Sequence, residues 1–284
     1  MEGKTVVITG GTSGVGHAAA VELAGLGARI VLIARDAERA GSTLAELGKN
    51  VAHGVYYADL SLAAEVKRVA REIAAAEPRI DALINNAGGI FARRQVTAEG
   101  WERTFATNHV AYFALTGGLR ERLLASAPAR VINTASEVHR GARLDFDDLQ
   151  SEKGYSNYGA YGKSKLCNIL FTRELARRLA GTGVTANCLH PGVVATRLGQ
   201  DRGPVEGDPF AANFLRGNGM TPEEGARTIV YLASSPEVSH VTGQYFDQCR
   251  AKAPSREAQD DKTGERLWAE TLRIAGGGKE GQGA

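Results

Sequence analysis

Cysteine is scarce in this chain, and what there is forms no pattern. Cys167, Cys188 and Cys249 are odd in number and irregular in spacing, with no Cys-x-x-Cys. That argues against a disulfide framework and suits a reducing compartment. The six histidines form no His-Glu-x-x-His or comparable ligand set. No metal site is therefore expected, and His139 and His190 read as packed or solvated side chains. Long hydrophobic runs are missing as well: stretches such as Ala28 to Ala34 fall far short of the ~20 residues that cross a bilayer. No basic run stands out, and a formal net charge of +2 gives no reason to expect nucleic acid or an anionic membrane as partner. Met1 to Lys4 leads directly into an apolar strand pattern, without the charged region, apolar stretch and cleavage site of a signal peptide. The expected location is the cytoplasm.

What is present is ordinary soluble composition, 43% hydrophobic and 23% charged over 284 residues, enough for one large α/β domain. Short β-branched runs alternate with longer helical patterns. Strands are expected at Thr5 to Ile8, Ile30 to Ile33, Val55 to Ala58, Ala82 to Ile84, Val131 to Asn133, Val184 to Leu189 and Tyr245 to Phe246. Helices are expected from about Val15 to Leu26 and from Leu62 to Ala76. Apolar strand cores without alternation, separated by helices, imply a parallel sheet covered on both faces. The expected architecture is a single doubly wound, Rossmann-type domain of seven strands over residues 1–250. A C-terminal helix and a glycine-rich tail would fill 251–284. Two further stretches look irregular: Glu137 to Tyr158, and Arg197 to Gly219, the latter expected to be a substrate lid. Its Phe210 and Phe214, with Leu215 and the adjoining Met220, suit an apolar substrate, although ordinary packing explains the same side chains.

Ligands of such sheets bind beyond the carboxyl ends of the strands, where the chemically suggestive segments lie. Gly10, Gly14 and Gly16 follow a strand and open a helix, with Thr12, Ser13 and Val15 between and beside them. Glycine lets backbone amides approach a pyrophosphate, and a helix N-terminus favours the anion. Ala34 ends the second strand, 24 residues after Gly10, and Arg35 follows it. An acid there would bond the adenosine ribose; an arginine accommodates a 2′-phosphate, so NADP is expected over NAD. Asp36 lies about 20 residues beyond Gly16, where an NAD-binding acid can stand; Arg35 is weighted more heavily, and Asp36 is expected to cap the next helix. Asp59 and Leu60 would contact the adenine, with an N-cap role for Asp59 equally open.

Tyr161 and Lys165 lie four residues apart, which on a helix places a phenol and an ammonium on one face. The cation is expected to lower the phenol's pKa from about 10 toward working pH. A proton-transfer pair downstream of a dinucleotide loop points to an oxidoreductase. Tyr158, a rival phenol, has Gly162 rather than a lysine at that spacing.

With these residues in place, the chain resembles the short-chain dehydrogenase/reductase family over roughly Gly3 to Phe246. Thr9 to Gly16 is similar to its Thr-Gly-x-x-x-Gly-x-Gly motif, with Val15 in place of the more usual isoleucine. Asn85-Asn86-Ala87-Gly88 is similar to its Asn-Asn-Ala-Gly. Asn108, Ser136, Tyr161 and Lys165 resemble its active-site set, and His190-Pro191-Gly192 with Val194 and Thr196 its nicotinamide-side motif. The separation of 25 residues between Ser136 and Tyr161 exceeds the family's usual gap. It resembles that of the retinol-dehydrogenase-like and WW-domain-oxidoreductase-like branch, as do Asp147 to Lys153, Ala160 to Leu166 and Leu170 to Ala176. That branch's membrane helix and WW domain are not seen here.

The resemblance implies hydride transfer between NADP(H) and the carbonyl or alcohol carbon of a small molecule. Tyr161 would move the proton, and Lys165 would tune Tyr161 and bond the nicotinamide ribose. Ser136 would hold the substrate oxygen, and Asn108 would position a water. Asn86, Ala87, Gly88, Pro191 and Gly192 would line the cofactor. Pairing into a homodimer through the helices around Asn108 and Tyr161 is also implied. A non-catalytic NADP-binding regulator, and an epimerase or dehydratase, are the competing readings on the same fold.

Overall fold

The structure, a computed structural model, describes residues 1–49, 51–194 and 219–275. Thr196, positions 197–218 of the expected lid, and the tail from Gly276 lie outside the described residues.

Eight strands form one sheet in the order β3-β2-β1-β4-β5-β6-β7-β8. They are β1 (Thr5–Thr9), β2 (Arg29–Ala34), β3 (Gly54–Tyr57), β4 (Ala82–Asn85), β5 (Ala129–Thr134), β6 (Val184–His190), β7 (Tyr245–Asp247) and β8 (Arg250–Ala251). The first seven are parallel, as expected, and β8 adds two antiparallel residues at the β7 edge. Side chains alternate between two buried layers. Val7, Val31, Leu83, Val131 and Ala186 join one, while Ile8, Leu32, Ile84, Ile132 and Leu189 join the other. Both faces exclude water, so the strands read as continuous apolar runs.

Helices α1 (Gly14–Gly25) and α7 (Pro222–Ser234) pack together over one face, and α2 (Ala37–Glu46) lies on the same side. Over the other lie α3 (Ala63–Ala76), α5 (Ala111–Ala125) and α6 (Asn157–Arg178). A short α4 (Arg103–Phe105) runs through a π turn, Ala106–Val110, into α5. Helix α8 (Asp261–Ile274) covers α6 from outside. Trp268 of α8 stacks on Phe171 and meets Phe113 edge-on, with the Arg178 guanidinium 4.4 Å from the Trp268 ring centre. Such contacts add directional attraction to the buried area.

Helix ends follow local chemistry. The Asp36 carboxylate accepts from the Arg39 amide at 3.1 Å, the expected cap of α2. Thr221 and Glu224 form a capping box at α7, with Pro222 in the first turn. Asp59 does not cap α3: its carboxylate takes the Ser61 amide and hydroxyl at 2.9 and 2.8 Å. The first α3 amides, of Ala63 and Ala64, donate instead to Glu99 from a distant loop. Asp59 sits too far before the helix to reach them.

Candidate active site

The chain leaves β1, winds outward to β3, and crosses back to β4 on the opposite side of β1. That reversal opens a crevice at the carboxyl ends, the usual ligand position in such sheets. The glycine loop forms one wall. Gly10 has φ +68°, and a Cβ on it would lie 2.9 Å from Ala87 Cα; a Cβ on Gly16 would lie 2.3 Å from the Gly10 carbonyl oxygen. No larger residue fits either place. Helix α1 begins with no side-chain cap bond from Ser13 and no acid in its first turn, which leaves its amide end open to an anion. Thr12 and Gly14 are half-buried, Ser13 is exposed and Val15 is buried among the α1 and α7 side chains.

Asn86 works on this wall from the inside. Its amide donates to the Thr9 and Gly10 carbonyls at 3.3 and 3.4 Å, and its Oδ1 accepts from Thr134 Oγ1 at 3.3 Å. The amides of Asn86 and Ala87 both donate to Thr9 Oγ1. Asn86 thus braces the loop rather than offering its side chain to the crevice. Gly88 is exposed, with Pro191, Gly192 and Val194 half-buried. Val194 bridges to Met220.

At the outer end, Arg35 is exposed beyond β2. Burial tends to raise the Asp59 carboxyl, but bonds from Ser61 and the charges of Arg35 and Arg103 outweigh it and hold it below its ordinary range. Asp59, Ser61, Leu62, Thr97 and Arg103 line a cleft of about 270 Å³. Neither Tyr161 nor the half-buried Leu60 is among its lining residues.

Four candidate residues meet at the inner end. Tyr161 and Lys165 are 4% and 2% exposed on α6, and Ser136 is 3% exposed just after β5. Ser136 is hydrogen-bonded to Tyr161. Lys165 Nζ donates to the Thr134 carbonyl at 2.9 Å and lies 5.4 Å from the Tyr161 ring centre. Asn108 sits in the π turn, a helix irregularity frequent at functional sites. Its Oδ1 accepts from the Gly89 amide at 2.8 Å. Its Nδ2 donates to the Gly89 carbonyl and to Ser164 Oγ, each at 3.0 Å. The side chain is committed to joining the post-β4 loop to α6.

The expected lowering of the phenol's pKa does not hold for the free protein. Burial pushes Tyr161 up to about 12, with the Ser136 bond acting in the opposite sense. Burial also holds Lys165 down to about 7. Both groups leave water together, and the amine faces the ring and a carbonyl, so desolvation of each charged form dominates their attraction.

Sequence reasoning missed two buried neighbours. Tyr112 follows Asn108 by four residues; its ring centre is 5.8 Å from Lys165 Nζ, and its hydroxyl has no hydrogen-bond partner among the described residues. His109 touches Asn168 Oδ1 at 3.4 Å and Thr271 Oγ1 of α8 at 3.0 Å. The helical spacing from Asn108 signals Tyr112, but nothing local signals the contact between His109 and a residue 162 positions away.

A doubly wound sheet with a glycine cradle and a buried Ser-Tyr-Lys cluster at its strand ends defines a Rossmann-type oxidoreductase. The chain belongs to the short chain dehydrogenase family, whose model matches residues 4–206. It is 41% identical over 282 residues to retinol dehydrogenase 13 of Homo sapiens, covering 96% of this chain and 85% of that one. Retinol dehydrogenase 12 of Homo sapiens is 40% identical over 284 residues, covering 97% and 87%. These relatives bear out the retinol-dehydrogenase-like branch. A solved protein from Mycobacterium Paratuberculosis aligns with TM-score 0.78 at 31% identity, over 96% of this chain and 94% of its own. RhlG of Pseudomonas aeruginosa, solved as an NADP active-site complex, aligns with TM-score 0.70 at 30% identity, over 87% and 94%.

Proposed function

We propose that the protein interconverts a carbonyl and an alcohol on a small apolar molecule, with NADP(H) as cofactor. The observation that carries this reading is the buried cluster of Ser136, Tyr161 and Lys165 beside the glycine cradle. When bound, the cofactor supplies or accepts the hydride. Gly10 to Gly16, the open α1 N-terminus, and the segments at Gly88 and Pro191 to Val194 would hold it; the cradle fits a group that only backbone can approach. Tyr161 keeps its proton in the free protein, so it acts as the acid that protonates the substrate oxygen during reduction. Ser136 accepts the Val138 amide at 3.4 Å, which leaves its own hydrogen to donate to that oxygen. Lys165, when charged, stabilises the phenolate left behind, and Asn108 keeps α6 and the post-β4 loop in register.

NADP is favoured over NAD because Ala34, not an acid, ends β2 and the exposed Arg35 follows. Asp36, the next residue in the chain, is engaged with the Arg39 amide. The NADP in the RhlG complex and the retinol dehydrogenase relatives support the cofactor and an apolar substrate. Among the described residues no helix is long and apolar enough to cross a membrane. Cys167 and Cys188 are free, and burial pushes both thiols up to about 12. That suits the reducing cytoplasm proposed as its location. A homodimer is the proposed assembly, readable by light scattering.

A panel of aldehydes, ketones and alcohols, assayed against NADPH and NADH, tests the whole reading. Turnover preferring NADPH is expected, and Arg35→Ala should raise the NADPH KM roughly tenfold, the scale of one charge-assisted bond. A preference for NADH overturns the cofactor assignment; no turnover across the panel overturns the enzymatic one.

A further inference from the structure

The C-terminal stretch from β7 onward takes no part in the chemistry above, yet it grips the turn that follows Ser136. A 3-10 turn, Glu137–Gly141, begins directly after that serine. Tyr245 Oη donates to Glu137 at 2.8 Å, Arg140 donates to the Ala253 carbonyl at 2.8 Å, and Arg143 pairs with Glu257 at 3.9 Å. Between these ties lies His139, fully buried, with the Tyr245 ring edge-on at 5.1 Å. Its Nδ1 is 2.6 Å from the Ser136 carbonyl oxygen, and its Nε2 is 3.0 Å from the Ser255 amide.

Those two contacts determine the tautomer. A backbone amide can only donate, so Nε2 accepts from Ser255 and the proton sits on Nδ1, where it donates to Ser136. The same carbonyl takes the His139 amide at 3.2 Å, so two donors from one residue hold it. Burial keeps the imidazole neutral. The Ser136 bond opposes that effect, Arg140 adds to it, and Glu137 and Glu257 oppose it. A turn this short is weakly held by its own bonds, and the serine at its head must keep its hydroxyl against Tyr161.

We propose that His139 is a positioning residue for Ser136: its Nδ1–H holds the Ser136 carbonyl, with the Ser255 amide fixing the tautomer, so that the serine hydroxyl stays at the reacting oxygen. This rests on the role given to Ser136 above. Any buried imidazole needs partners for its nitrogens; what sets this one apart is that one partner is the serine's own carbonyl.

The test uses two partial mimics. His139→Asn keeps a donor where Nδ1 stands, whereas His139→Gln keeps a polar group only where Nε2 stands. With a carbonyl from the panel, His139→Gln should lower kcat by up to roughly 10²-fold, the cost of a misplacement near 1 Å. NADPH affinity, followed by nicotinamide fluorescence, should stay unchanged. His139→Asn should restore most of the loss, and in a Ser136→Ala background His139→Gln should cost nothing further. Independently of any variant's folding, long-range ¹H–¹⁵N spectra of the wild type should show the Nδ1-protonated tautomer. Equal losses in both mimics, an undiminished loss in the Ser136→Ala background, wild-type kcat in His139→Gln, or the Nε2 tautomer would each overturn the proposal alone. A wild type without turnover would sink the functional reading and this proposal together.

Discussion

At the glycine loop, the groups facing the crevice are backbone atoms on one short stretch, Gly10 to Gly16. Beside Tyr161 they are side chains gathered from the end of β5, from α6 and from the π turn Ala106–Val110, which precedes β5 in the chain. The first region is open to solvent at Ser13 and Gly88; the second holds Tyr161, Lys165 and Ser136 at 4% exposure or less. A backbone-built site needs only the right turn and no Cβ. A side-chain site in a dry environment needs every neighbour satisfied, and its acidities follow burial more than pairwise attraction. The glycine loop is therefore backbone-built, with Asn86 bracing it, whereas the cluster around Tyr161 is built from side chains of several segments.

The sharpest way to separate the two ends is Tyr161→Phe. It should lower kcat by about 10²–10⁴-fold, the usual contribution of a general acid, while NADPH still binds; near-normal turnover would break the assignment. Acid should strike the side-chain end next. His109 has a pKa of about 4 in the folded protein against 6.5 for a free histidine. Between those values the unfolded chain binds the extra proton, so stability is complete above pH 6.5 and falls as pH drops toward 4. The difference corresponds to about 3 kcal/mol. Urea unfolding across that range should show it, and His109→Gln should flatten the slope.

The glycine loop should break sterically. Gly16→Ala forces a methyl to 2.3 Å from the Gly10 carbonyl oxygen, and overpacking of this kind costs about 1–3 kcal/mol. NADPH affinity, read by fluorescence titration, should fall correspondingly, with the Tyr161 hydroxyl still in place. The smallest effect belongs to Asp36→Ala, which removes the α2 cap. It should cost about 1 kcal/mol in thermal or urea unfolding and leave turnover unchanged.

The same contrast explains what could be read in advance. Strand positions were legible because both sheet faces are buried, so runs such as Val6 to Ile8 and Ile30 to Ile33 carry no polar interruption. Asp36 announced its cap because a cap is settled within three residues. Asp59 misled because an Asx turn to Ser61 and an N-cap look alike in sequence, and Glu99, which does cap α3, comes from a loop 36 residues away. The pairing of Tyr161 with Lys165 was visible from spacing, but their acidities were not, since spacing carries no information about solvent.

Residue order alone established a parallel, doubly wound sheet, a glycine turn between a strand and a helix, and a phenol and an amine on one helical face. Each follows from periodicity or from the stereochemistry of neighbouring residues. Tertiary structure decided the rest: that burial outweighs the lysine's charge at Tyr161, that Asn108 and Asn86 act as braces, and that α8 and the stretch before it reach His109 and His139. These depend on which groups lose water together, and that is set by contacts between segments far apart along the chain.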